Sequence, residues 1–207
     1  MPKVWHKYIK SDSLSGLWKI SESREELVRL LHFTEATQIT NDTRARQWLA
    51  SRVLLQELLQ ELGYSDNYQL HRLASGRPVL SIPHLHISIS HAGDYAAVVL
   101  SKTPIGIDIE KISPRIERIQ HKFMNEHEKE QLKGEKDIIW MHTVWSAKEA
   151  LFKYHPEGEL DFREHLHVKI EGLGMLRGEI RKDLETHRLQ VTYEFFEEYI
   201  LAWAIPD

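Results

Sequence analysis

The sequence predicts an α+β fold, on three observations. Residues 86–110 alternate apolar and polar side chains, with turn residues between the runs, which is the pattern of short paired strands. Two long stretches, 42–62 and 137–154, instead repeat apolar residues at helical spacing. From 166 to 205 the chain returns to strand-like runs, so each side of a turn at Ser101–Pro104 holds helices and then a strand-rich ending. With 207 residues, 42% hydrophobic and 28% charged, there is enough apolar material for a core in one compact unit or in two small intimate halves.

In chain order, the first helix is expected from Asp42 to Leu62, where Trp48, Leu55, Leu59 and Leu62 recur on one face and Gly63 supplies the stop. His86–Leu100 reads as strand, Ala92-Gly93-Asp94 turn, strand, and Thr103-Pro104 leads into a third strand at Ile105. The three are expected to form an antiparallel meander, with Ser90 and His91 near the side chains two strands away. Lys111–Phe123 is expected as an amphipathic helix, with Ile112, Ile116, Ile119 and Phe123 opposite Arg115, Arg118 and Lys122. Asn125 then caps a short helix, with Glu128 reaching back to it in a structural role and Gly134 as the stop. Asp137–Tyr154 is a helix with Ile138, Met141, Trp145 and Phe152 near one stripe and Leu151 beside it. Strands follow at Leu166–Ile170, Met175–Arg181, Leu189–Phe196 and Tyr199–Ile205. The strand-turn-strand pairs His86–Leu100 and Arg188–Ile205 form a faint internal echo.

Two strings carry the chemistry: Gly106-Ile107-Asp108-Ile109-Glu110, and Trp145-Ser146-Ala147-Lys148-Glu149-Ala150-Leu151-Phe152-Lys153. Period two puts Asp108 and Glu110 on the same strand face, with backbones about 6.5–7 Å apart, so their carboxylates can converge on an oxygen-loving cation such as Mg²⁺. Glu149 and Lys153 are one helical turn apart and share a face. Taken singly, the two acids fit the solvent side of a half-buried strand, and Glu149 with Lys153 fits an ordinary surface pair. Their combination points to a site.

Composition narrows the classes. A net charge of −4 argues against a dedicated nucleic-acid binder. With no cysteine there is neither a disulfide nor a thiolate metal site. Met1–Ser11 lacks the apolar core of a signal peptide and no stretch approaches a membrane span, so a cytoplasmic protein is expected. Zinc on His84, His86 and His91 is disfavoured, because the spacing equally suits a strand face and names no third ligand.

Taken with Gly76-Arg77-Pro78 and Ser88-Ile89-Ser90-His91, the two strings resemble, in order and separation, the motifs of 4′-phosphopantetheinyl transferases of the surfactin-synthetase-activating type. The matching motifs run from residue 76 to residue 153. The resemblance implies two similar α+β halves, 1–101 and 102–207, related by a pseudo-two-fold axis. Each half would have an antiparallel sheet on helices, and the ligand would lie between them. It implies a monomeric enzyme that moves phosphopantetheine from coenzyme A to a serine of an apo acyl or peptidyl carrier protein, releasing adenosine 3′,5′-bisphosphate. Such chemistry needs charge neutralisation on bridging phosphates and an aligned nucleophile.

Carried onto matching positions, the resemblance makes Asp108, Glu110 and Glu149 the Mg²⁺ ligands. Lys153 would face the phosphates, and Glu149, directly or through water, is the candidate base for the serine. Ser90 and His91 would contact the nucleotide and its phosphates, and Arg77 occupies a basic position suited to phosphate. Among Arg44, Arg46 and Arg52, Arg46 is taken as the candidate for the nucleotide 3′-phosphate. The basic side of 111–123, around Arg115, Arg118 and Phe123, is expected to receive an acidic carrier helix. Two other classes stay open: a metal-dependent phosphodiesterase or nuclease, and a non-catalytic carrier-binding module.

Overall fold

The computed structural model describes residues 3–32, 39–64, 68–131, 137–156 and 159–207. It divides the strand-forming run 86–111 between two antiparallel sheets. Contacts group the chain into two units, the first 1–73 with 78–103 and the second 74–77 with 104–207.

The first unit holds β1 (Lys3–Lys10), β2 (Ser13–Lys19), α1 (Arg24–Leu30), α2 (Asp42–Glu61), β3 (Leu70–Arg72), β4 (Pro78–Leu80), β5 (His86–Ala92) and β6 (Tyr95–Ser101). Its sheet runs β1-β2-β6-β5. Helix α2 starts where Asn41 accepts the Arg44 N–H and stops before Gly63, whose positive φ of 78° suits a residue without a Cβ. Leu49, Leu54, Leu55 and Leu58 of α2 pack with Leu14, Ile87, Val98 and Leu100 from the sheet. β1, β2, β3, β4 and α1 were not anticipated from the sequence.

The second unit holds β7 (Gly106–Lys111), a 3₁₀ turn (Pro114–Arg118), α3 (Gln120–Phe123), α4 (Glu126–Glu130), α5 (Ile138–Tyr154), β8 (Leu166–Gly172), β9 (Met175–Lys182), β10 (Glu185–Phe196) and β11 (Tyr199–Pro206). Its sheet runs β7-β11-β10-β9-β8. Helix α5 crosses one face, where Met141, Val144, Ala147, Ala150 and Leu151 pack on Leu166, Val168, Leu176, Ile180, Leu189 and Val191. The fold class is therefore α+β with antiparallel sheets packed on helices.

Three expectations are corrected. The meander ends at β6, whose two edges are already paired with β5 and β2, so β7 takes its ladder from β11, with Asp108 opposite Ala202. Among the described residues, Ser90 and His91 on β5 therefore belong to a different sheet from the acids of β7. The expected helix over 111–123 is broken into strand, 3₁₀ turn and one α turn. The Ile112 N–H still bonds to Glu198, and Pro114, which lacks an N–H, fits only the first turn. Phe123 is completely buried, so it does not belong to a docking surface. Asn125 and Glu128 form the expected reciprocal cap on α4, while Gly134 lies outside the described residues.

Candidate active site

The alternation of β7 turns Gly106, Asp108 and Glu110 toward α5, and Gly106 decides how near the helix comes. A Cβ there would stand 1.9 Å from the Ala150 carbonyl oxygen and 2.7 Å from the Tyr154 nitrogen, both backbone atoms. Only glycine admits this approach. It brings the strand acids against the helix face on which Ser146, Glu149, Ala150 and Lys153 recur at three, four and seven residues.

Asp108 is 2% exposed, and both of its oxygens are used. Oδ2 accepts the Ser146 hydroxyl at 2.7 Å, and Oδ1 accepts Lys153 Nζ at 2.7 Å. Glu110 Oε1 accepts the Trp145 Nε1–H at 2.9 Å. That indole lies between two rings, edge-on to Phe123 at 5.1 Å and stacked on Phe162 at 5.3 Å.

The acids are crowded. Burial pushes the Glu110 carboxyl up to about 7, and repulsion from Asp108 adds to this against the Trp145 hydrogen bond. Burial also pushes Glu149 up to about 7, again with repulsion from Asp108, while Lys153 opposes. Two of the three carboxyls thus sit near neutrality with a single lysine among them. Their ionised forms lack compensating positive charge, which a bound cation would supply.

β7 and α5 both lie within residues 104–204, and the profile of the 4′-phosphopantetheinyl transferase superfamily matches that same stretch. Residues 104–204 of the chain are thus a domain of this superfamily.

Curated relatives agree. The chain is 31% identical over 149 residues to 4′-phosphopantetheinyl transferase ffp of Bacillus subtilis, covering 66% of each chain. It is 32% identical over 121 residues to 4′-phosphopantetheinyl transferase Sfp of Bacillus subtilis strain 168, covering 53% of this chain and 54% of the relative. It is also 32% identical over 131 residues to the L-aminoadipate-semialdehyde dehydrogenase-phosphopantetheinyl transferase of Pongo abelii, covering 53% and 42%. In each case the chain spans less than two thirds of the relative's length.

As a candidate metal centre, the cluster fits a hard divalent cation in donor type. It offers three carboxyl groups beside one lysine, and burial with repulsion from Asp108 leaves the ionised forms of Glu110 and Glu149 short of compensating positive charge. Among the described residues, no three His, Cys, Asp or Glu side chains stand as a ligand set. Asp108 is turned to Ser146 and Lys153, and Glu110 to Trp145.

Of the remaining sequence-predicted residues, Arg77 falls in the second unit, where burial pushes its guanidinium below the ordinary value and Tyr154, next to Lys153, opposes. Ser90 is buried and His91 exposed on β5 in the first unit. Arg46 on α2 pairs with Asp42 at 3.0 Å. Arg52 lies buried over the Trp48 ring, 3.9 Å from its centroid, and is structural.

Sequence reasoning missed the roles of Trp145 and Ser146. Trp145 read as a stripe residue, but Ser146 was findable, because it lies three residues before Glu149 and seven before Lys153 on the same face. A cavity of about 680 Å³ adjoins the cluster, lined by Glu110, Ser113, Arg115, Ile116, Ile119 and Trp145 among others.

Proposed function

We propose that this protein transfers 4′-phosphopantetheine from coenzyme A to a serine hydroxyl of an apo acyl or peptidyl carrier protein. The observation that carries this reading is the joining of Asp108, Glu110, Glu149 and Lys153 into one cluster, within the stretch that matches the superfamily. The serine Oγ forms a bond to the phosphorus that bears the pantetheine. The bond from that phosphorus to the bridging oxygen breaks, the serine proton passes to a base, and adenosine 3′,5′-bisphosphate leaves with the electron pair.

Asp108, Glu110 and Glu149 would hold Mg²⁺, which when bound supplies positive charge against the pyrophosphate oxygens. Glu149, directly or through a water, is assigned as the base that takes the serine proton, since it shares a helix face with Lys153 one turn away. Lys153 is held by Asp108 and places a fixed positive charge where the departing phosphate gains negative charge. Arg77, Ser90, His91 and Arg46 are assigned to the nucleotide and its phosphates. In this division residues 1–101 supply nucleotide contacts, and 102–207 supply the acids, Lys153 and the carrier contact.

The cavity beside Glu110 suits entry of the carrier serine. Arg115 lines it, and Arg115 and Arg118 are exposed on the 3₁₀ turn, where positive charge favours an acidic carrier surface. The reading carries with it a monomer acting in the cytoplasm.

The test is incubation with coenzyme A, Mg²⁺ and a panel of apo carriers, read by intact mass. The expected result is a gain of one phosphopantetheine on the carrier serine. A panel left unmodified, with nucleic acid hydrolysed instead, would replace this reading with that of a metal-dependent phosphodiesterase.

A further inference from the structure

Lys148 is completely buried on α5, between Ser146 and Glu149 of the cluster. Its three ammonium protons have three acceptors: the carbonyls of Phe123 at 2.6 Å and Phe162 at 2.8 Å, and Glu128 Oε2 at 2.7 Å. Glu128 is equally buried and also fully engaged. It accepts the Asn125 N–H at 2.9 Å and the Val168 N–H at 3.1 Å. A buried ion pair is a weak source of net stability, since desolvation offsets the attraction, so its use is sought in geometry.

The geometry leads to the acid cluster. The two carbonyls that Lys148 holds belong to Phe123 and Phe162, the residues whose rings flank the Trp145 indole. Phe123 ends α3 and Phe162 lies in the turn before β8, so no continuous helix or strand sets their spacing. The indole between them donates to Glu110 at 2.9 Å.

We infer that Lys148 and Glu128 are positioning residues: by tying the backbone at Phe123 and Phe162 they set the slot that orients Trp145, and Trp145 in turn orients Glu110. The inference goes deeper into the site proposed above, and its activity arm rests on that reading. A structural arm does not.

The main variant is Lys148→Met with Glu128→Gln, because either change alone leaves a lone buried charge or an unmet partner. In the structural arm, exchange of the Trp145 indole N–H is followed by NMR, with the resonance assigned by its loss in Trp145→Phe. The double variant is expected to lose protection at Trp145 by about tenfold or more, with Trp18 in the first unit unchanged. Phe162→Leu keeps the ion pair but removes one wall of the slot, and it is expected to act in the same direction. It decides the matter if the double variant does not fold.

In the activity arm, the Mg²⁺ concentration for half-maximal transfer is expected to rise about tenfold in the double variant. Native exchange at Trp145 in the folded double variant, or in Phe162→Leu, overturns the inference. A wild-type protein without transfer activity overturns the proposed function instead, and leaves the exchange arm to decide this point.

Discussion

Gly106→Ala is the most direct probe of how the site is assembled. The new Cβ would lie 1.9 Å from the Ala150 oxygen and 2.7 Å from the Tyr154 nitrogen, and neither backbone atom can rotate away. Restoring an ordinary contact near 3.5 Å requires β7 and α5 to separate by about 1.5 Å at this point. The Ser146–Asp108 and Lys153–Asp108 bonds, each 2.7 Å now, would open to about 4 Å, beyond hydrogen-bonding range. Overpacking of this kind costs about 1–3 kcal/mol, and a displacement of this size at a reacting centre costs about 100-fold in rate. The assay pairs carrier modification, followed by intact mass over time, with urea denaturation of the same preparations. Gly172→Ala serves as the control, since its Cβ would meet only the flexible end of Met175 at 3.5 Å. A Gly106→Ala protein with native stability and native transfer would refute the claim that close approach of α5 builds the site.

Further outcomes follow from the same geometry. Asp108→Ala and Glu149→Ala are each expected to lower transfer by about 100-fold or more with near-ultraviolet dichroism retained, and near-normal rates in both would break the mechanism. Glu110 and Glu149, raised from 4.5 to about 7, make the cation-free protein hold more protons folded than unfolded, so their contribution to stability is lost as pH rises toward 7. Mg²⁺ displaces those protons, so the rise in melting temperature on adding it should be larger at pH 8 than at pH 6, and an equal or reversed shift would count against cation binding at these acids. Chelation should abolish transfer, and added Mg²⁺ should restore it. Reversing Arg115 and Arg118 to Glu should raise the carrier concentration needed for half-maximal transfer, most clearly at low salt, and an unchanged dependence would remove this surface as the carrier contact.

Much of the site was legible because its parts are local. The alternation through Ile107 and Ile109 aligns Asp108 with Glu110, and a four-residue step aligns Glu149 with Lys153. The apolar spacing of 42–62 and 137–154 likewise gave α2 and α5 nearly to the residue. Other parts were illegible for stated reasons. Lys148 reads as a surface cation from its type, yet its burial depends on two carbonyls and a carboxylate that arrive from three other segments. The run 111–123 showed helical spacing, but Ile112 is drawn into the ladder by Glu198, a residue far along the chain.

The sequence alone determined the two long helices, the strands of 86–110 and 166–205, and which charged groups share a face, because those properties repeat over a few residues. Tertiary structure alone decided that β7 pairs with β11 and not with β6, since several strands compete for each edge and the winner depends on the whole sheet. It also decided that an absent side chain at Gly106 is what lets α5 reach Asp108. A glycine marks where a close approach is possible, and only the packed chain shows what approaches.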